Sequence, residues 1–586
     1  ATWVVQFRNF NNNKHERVEP DGTATLTGYW FGMIGELLVN PTNPEELWAS
    51  DFFGVYRTKN AGALGTTDGC QWYNLQKGQE ETVPHHLKNA PVGAQLLTGL
   101  ADVAGFRYTD IEKRPTKDVG GSTFRDPDGG SSTSLDFSEA DPKIWARAWM
   151  NPYGWGGSGG VSTDGGITWV RFGQVANKLV ESDATGGVES WDVGAFIKGQ
   201  KASGATEVTM ILCSANAISP MYSADPVSFE SREAADESVR PRLKINGSKV
   251  LPAVADGFVS DGEKEKNFGA EPVLKVSYAY GNAPYTRWAF VKFDLKDAGD
   301  ISSATLELNR KAGGTVKTRV GVFTAAATPW TETELNWSNR PKAQASDIDP
   351  IGMPSMKVKG GRISVSSKDP NRMVWLPEAF VKPRYSIDRG ATWTESTEAP
   401  SSQMANQFNP GIGIQQLAAD RVNGKFYIAY FGATHTIYAS TDGGVTFKGV
   451  GAVTANTYNI YRAQLIAGLK ADHLWLADDG VDTPNGGGLW HSTDGGVTWK
   501  QIPGLTKVKH VTPGKGKTDG EYSIFVNAKR DSVMMVYRSD DYGTTWTELP
   551  EPPTVTTIET MTGDRQKHGR VFIGMGGRGV YQGGGD

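Results

Sequence analysis

The chain has 586 residues, a formal net charge of −5, 71 glycines, 30 prolines, 18 tryptophans and two cysteines. That balance carries no polyanion-binding footprint, so nucleic acid is not an expected partner. No run of eighteen apolar residues exists to span a membrane. Cys70 and Cys213 alone exclude a disulfide framework, and the Gly- and Trp-rich profile suits many short strands joined by tight turns.

The chain opens at Ala1 on strand-like Thr2-Trp3-Val4-Val5 without a signal-peptide pattern, which fits a cytosolic protein or a mature secreted one. Residues 35–50 read strand, Pro/Asn turn, strand; the same phrase returns loosely at 135–145 and closely at 362–375. A second phrase, Ser-x-Asp-x-Gly-x-Thr-Trp/Phe, occurs five times, at 162–169, 386–393, 440–447, 492–499 and 539–546. The last three Ser-to-Ser gaps are 54, 52 and 47 residues (386 to 440, 440 to 492, 492 to 539), and the first, 162 to 386, is 224. A period near fifty predicts a propeller, and the long gap predicts a large insertion inside one blade. Asp and Gly at the centre of each copy are turn residues, so the phrase reads as a hairpin staple rather than a calcium or catalytic site. It resembles the Asp-box of sialidases and other secreted propeller enzymes. That resemblance favours secretion. The last strand, near residues 570–574, is expected to close the ring against strands near the N-terminus.

Residues 173–358 break the period. Phe290-Val291-Lys292-Phe293-Asp294-Leu295 and Ala304-Thr305-Leu306-Glu307-Leu308 alternate like jelly-roll strands. With Ala255-Asp256-Gly257-Phe258-Val259, Asn267-Phe268-Gly269 and Trp330-Thr331-Glu332, the stretch resembles the DNRLRE family of carbohydrate-associated β-sandwich modules. The closing half, Trp191-Asp192-Val193, Phe229-Glu230-Ser231-Arg232-Glu233 and Arg240-Pro241-Arg242-Leu243, comes first. A circular permutation is expected, the alternative being two truncated modules side by side. The fold expected is all-β: a seven-bladed propeller, with eight blades as the alternative, interrupted by a jelly-roll sandwich. The boundaries are 1–172, 173–358 and 359–586.

Residues 79–87 and 91–108, with Leu100-Ala101-Asp102-Val103-Ala104-Gly105-Phe106 at their centre, resemble glycoside hydrolase family 74, the xyloglucanase-type enzymes. The resemblance places a catalytic carboxylate on Asp102, as the general acid. Ser50-Asp51-Phe52-Phe53-Gly54-Val55-Tyr56-Arg57 looks like the family's partner phrase and makes Asp51 the candidate base. Ala101 and Tyr108 stand where the family carries Gly and His. The family sets two propellers across a cleft, so one propeller here implies a second propeller or a partner chain. Hydrolysis with inversion needs the carboxylates roughly 6.5–9.5 Å apart; the alternative is that both cap strand ends. Tyr29, Trp30, Phe53, Tyr153 and Trp155 are candidate sugar platforms, because aromatic faces cover pyranose C–H faces.

The function implied is a secreted hydrolase of a β-glucan such as xyloglucan, its partner a polysaccharide held by the inserted module. Two alternatives stay open. One is a polysaccharide lyase using His85, His86, Arg107 and Tyr108 to remove a proton beside a neutralised uronate carboxyl, against which His85 and His86 read as an exposed loop pair. The other is a non-catalytic glycan-binding propeller. No cofactor and no metal are expected; Asp478-Asp479-Gly480-Val481-Asp482 lacks the ligand alternation of a calcium loop and reads as a solvated turn.

Overall fold

A computed structural model describes residues 16–18, 24–26, 36–50, 55–63, 70–75, 82–101, 104–113, 115, 131–150, 159–181, 185–214, 226–277, 286–313, 317–325, 329–341, 347–348, 354–355, 360–378, 380–404, 414–432, 434–454, 463–479, 487–550, 557–577 and 579–584. Two compact units divide the chain: residues 1–84, 553–558 and 574–581 form one, and 85–552, 559–573 and 582–586 the other. In the smaller unit Glu36–Val39, Leu47–Ser50, Val55–Thr58 and Gln71–Asn74 run as an antiparallel meander, extended by Glu16–Val18 and Ala24–Leu26. Its core is Leu47, Ala49, Tyr56, Cys70 and Trp72.

Among the described residues, seven short sheets each place most of their first strand in the larger unit. Their first strands are Pro84–Lys88, Ser131–Phe137, Arg362–Val365, Leu417–Ala419, Gln464–Ala467, Thr506–Lys515 and Ile558–Gly563. The second to sixth sheets each hold four strands in chain order; the first and seventh hold three. Residues of all seven first strands line one cavity. Met373–Leu376 is buried at every position, as expected of a strand covered on both faces. Val571–Met575 lies inside the seventh sheet rather than beside an N-terminal strand. The seventh sheet reaches the first through side chains: Arg565 N donates to Asn89 Oδ1 at 2.6 Å and Gln566 Nε2 to Ala90 O at 2.9 Å.

The repeated phrase joins the third and fourth strands of a sheet, and its five copies share one bonding pattern. The Ser hydroxyl donates to the Asp carboxylate at 2.7–2.8 Å and accepts from the Gly N–H at 2.7–2.9 Å. The carboxylate also accepts the Thr N–H at 2.8–3.0 Å. Gly166, at φ +86°, shows why the fifth position is Gly: the turn needs a left-handed residue there.

The insertion falls between two complete four-stranded sheets, not inside one as the spacing suggested. Phe172 anchors the point where the chain leaves the second sheet. Its ring packs on Trp393 at 4.7 Å and Trp375 at 5.4 Å in the third sheet, and Gly173 N donates to Gly390 O at 2.9 Å. The chain returns at Gly360, whose N–H donates to Trp149 O at 2.9 Å. Between these points the strands from Gln174 to Thr324 form a sandwich. Lys249–Ser260 turns the corner between its faces, pairing through 249–252 with Arg242–Ile245 and through 253–260 with Arg287–Asp294, with a register shift between Ala253 and Ala255. Strands from the two sequence halves interlace. Glu207–Ser214 lies between Arg287–Asp294 and Lys317–Thr324, and Ala304–Arg310 between Arg242–Ile245 and Val227–Glu230. The halves therefore build one shared core, around Trp191, Phe229, Leu243, Val291 and Leu306, which excludes two modules side by side.

Asp388 is the most buried of the five staple carboxylates, and burial pushes its pKa up to about 6. Asp388→Ala strands the Ser386 hydroxyl and the Thr392 N–H and hydroxyl without an acceptor. A loss of about 1–3 kcal/mol in urea denaturation is expected.

Candidate functional site

The Ser131–Phe137 strand, Ser-Ser-Thr-Ser-Leu-Asp-Phe, is buried throughout although five of its seven residues are polar. Three of them, with Ser138 just beyond the strand, bond the next sheet across the insertion. Thr133 Oγ1 donates to Gly361 O at 2.9 Å and Ser138 Oγ to Ser366 O at 2.7 Å. Ile363 N donates to Ser134 Oγ at 3.2 Å and Val365 N to Asp136 Oδ2 at 3.0 Å. Lys88 and Arg421 close on the other oxygen of Asp136, at 3.1 and 2.8 Å. Burial opposes the charge on Asp136, but Arg421 and Lys88 hold its pKa down to about 2. Burial pulls Lys88 down to about 8, with Arg421 adding repulsion and Asp136 opposing.

His85 and His86 line this cavity on the Pro84–Lys88 strand and are not an exposed loop pair. His85 Nδ1 sits 3.2 Å from Ser132 O, and burial lowers its pKa to about 4. His86 Nδ1 accepts from Leu135 N at 3.0 Å, which makes that nitrogen unprotonated; burial and the charges of Lys88 and Arg362 hold the ring neutral. Arg107 and Tyr108 lie two strands away, across Leu96–Leu100. Arg107 Nε donates to Gly165 O at 2.8 Å in the first repeated phrase. The four candidate lyase residues thus point to different tasks and do not converge. The cavity holds an ion-paired cluster whose carboxylate is already committed to two cations and a backbone amide. It can fix sheets together, and its Asp136 carboxylate is held by those partners rather than free for acid–base work.

Asp102 lies outside the described residues, as do Asp51, Tyr29, Trp30, Phe53, Tyr153 and Trp155. The backbone flanking Asp102 is described. Leu100 N donates to Ala104 O at 3.1 Å, and Phe106 N to Thr98 Oγ1 at 2.8 Å. Ala104 and Gly105 have φ of +60° and +135°. A Cβ on Gly105 would meet Thr98 O at 1.7 Å, so only Gly fits that close approach. Of the acidic loop at 478–482, Asp478 and Asp479 are buried rather than solvated, with His435 Nε2 3.4 Å from Asp478 Oδ2.

Known proteins place this architecture. A "Xyloglucanase" of a Paenibacillus species is 28% identical over 552 residues, covering 94% of this chain and 34% of that protein. A xyloglucanase of Acetivibrio thermocellus is 33% identical over 229 residues, covering 39% of this chain and 24% of its own length. The chain is similar to glycoside hydrolase family 74. It spans about a third and a quarter, respectively, of these two relatives. The solved family 74 xyloglucanase of Xanthomonas campestris shares the fold, with a TM-score of 0.50 at 16% identity, over 96% of this chain and 55% of that one. The model of carbohydrate-binding module family 96 matches residues 248–358, so this family 74-like chain carries such a module.

Two outcomes follow from the cavity. Asp136→Ala leaves Lys88 and Arg421 buried without their counter-charge, and a loss of about 3–5 kcal/mol is expected in urea denaturation. The folded pKa of His85 lies below the ordinary 6.5, so the stabilisation from its neutral ring is present above pH 6.5 and lost as pH falls towards 4. Unfolding free energy is expected to drop by about 3 kcal/mol from this group between pH 7 and 4, and His85→Gln to flatten that slope.

Proposed function

We propose that this chain is part of a secreted glycoside hydrolase that cleaves a xyloglucan-like β-glucan. The observation that carries the reading is similarity to a curated xyloglucanase along 94% of the chain. The seven sheets around one cavity support a seven-bladed propeller. Asp102 is assigned as general acid, following in sequence the strand Leu96–Leu100 that pairs with Arg107–Tyr108, and Asp51 as the general base. The module at residues 173–358 holds the polysaccharide, in keeping with the family 96 match. Because the chain spans only a third of its Paenibacillus relative, the opposite wall of the cleft is assigned to a second propeller, in the same protein or a partner.

Incubation with neutral and uronate polysaccharides tests the chemistry. New reducing ends from xyloglucan are expected, without the absorbance of an unsaturated product. Asp102→Asn is expected to lower kcat by roughly 10²–10⁴-fold with the thermal transition unchanged; retained hydrolysis would refute the assignment. Deleting residues 173–358 is expected to weaken retention on insoluble polysaccharide while soluble substrate is still cut. Unchanged retention would remove the role given to the module.

A further inference from the structure

Three carboxylates meet inside the sandwich. Asp256 is on the corner strand Lys249–Ser260 and fully buried. Glu233 follows the Val227–Glu230 strand, and Glu332 lies in the loop after Trp330. One oxygen from each lies within 4.8 Å of the others. Like charges this close in a protein interior repel strongly unless a cation or a shared proton joins them.

The surrounding bonds aim these groups and leave part of them unsatisfied. Ser231 Oγ donates to Glu271 O at 2.7 Å and accepts from Glu233 N at 3.1 Å, fixing the turn that carries Glu233. Asn267 Nδ2 donates to Glu332 O at 2.7 Å and Leu335 O at 2.8 Å, fixing the Glu332 loop. Asp256 N donates to Glu332 Oε1 at 2.9 Å, and Arg232 N to Asp256 Oδ2 at 2.8 Å. The Arg232 guanidinium pairs with Glu332 and, at 3.3 Å, with Glu233 Oε1. Asp256 Oδ1 and Glu233 Oε2 are buried and have no hydrogen-bond partner. One guanidinium faces three carboxylates, so the cluster carries two negative charges in excess when ionised.

We propose that Glu233, Asp256 and Glu332 bind a calcium ion that ties together the two interlaced halves of the sandwich. Ca²⁺ takes carboxylate oxygens at about 2.3–2.6 Å in irregular sets, so opposite ligands stand roughly 5 Å apart, matching this cluster. Zinc favours nitrogen and sulfur ligands, and the cluster contains neither His nor Cys. Glu233 and Glu332 keep 24% and 16% of their side-chain surface, which leaves an ion a path inward. Glu233 belongs to the half that comes first in the chain, and Asp256 and Glu332 to the half that follows. The ion would therefore join chain segments that the permutation separates.

The test uses the full chain stripped with EDTA and then freed of chelator. CaCl₂ is expected to raise the thermal transition by about 5 °C, with one equivalent bound by calorimetry and EDTA reversing the shift. Tb³⁺ is expected to luminesce on excitation of tryptophan, since Trp330 is two residues from Glu332. Glu233→Gln should abolish both responses, and Asp256→Asn should do so while raising metal-free stability. No shift with Ca²⁺ and no saturable Tb³⁺ signal in the stripped wild type would overturn the proposal. So would a Glu233→Gln variant that responds like wild type, or an equal shift with Mg²⁺. The wild-type titrations decide the matter even where a variant fails to fold.

Discussion

Asp136 brings four sheets onto one carboxylate. Lys88 comes from the first sheet, Asp136 from the second, the Val365 N–H from the third and Arg421 from just beyond the Leu417–Ala419 strand of the fourth. A buried ion pair is weak support for stability by itself, because desolvation of both partners offsets their attraction. Its worth lies in specification: a charge buried among apolar sheets tolerates only the register that satisfies it. Arg362 adds to this order, donating to Ile414 O at 2.9 Å and to Thr133 O.

The same strand explains how the molecule accommodates its insertion. Neighbouring sheets in such an array usually stay together because a short connection keeps them close and apolar faces pack. Here a whole sandwich separates the second sheet from the third. Side-chain bonds from Thr133, Ser134, Asp136 and Ser138 replace the tether, each crossing 228 or 229 positions of sequence. Phe172, Trp375 and Trp393 seal the outer part of that seam.

Much of this was legible beforehand. The five-fold phrase sized the sheets, and its Asp residues are the staples that turn chemistry predicts. Alternation at 290–295 and 304–308 gave the sandwich strands. Other features were hidden for a physical reason: they exist only after distant segments converge. Ser-Ser-Thr-Ser carries no apolar period to mark it as a buried strand; the third sheet supplies acceptors and donors for it. His85 and His86 read as exposed because a polar strand facing a central cavity has no sequence period of its own. Glu233, Asp256 and Glu332 sit in three separate stretches, and the residues between them carry no ligand pattern. The one clue was Asp256 itself, an acid within the strand Lys249–Ser260 beside the buried Phe258 and Val259.

The interlaced sandwich also has a consequence for the order of events during synthesis. A chain emerging from the ribosome presents the second sheet first, then every strand of the sandwich, and only afterwards Arg362–Val365. Until then the polar edge of Ser131–Phe137 faces water, where its hydroxyls and carboxylate are well solvated. A greasy edge left open for the same interval would be an invitation to aggregate. The serines and threonine at that seam are thus suited to waiting as well as to bonding, and the sandwich has time to complete before the third to seventh sheets do.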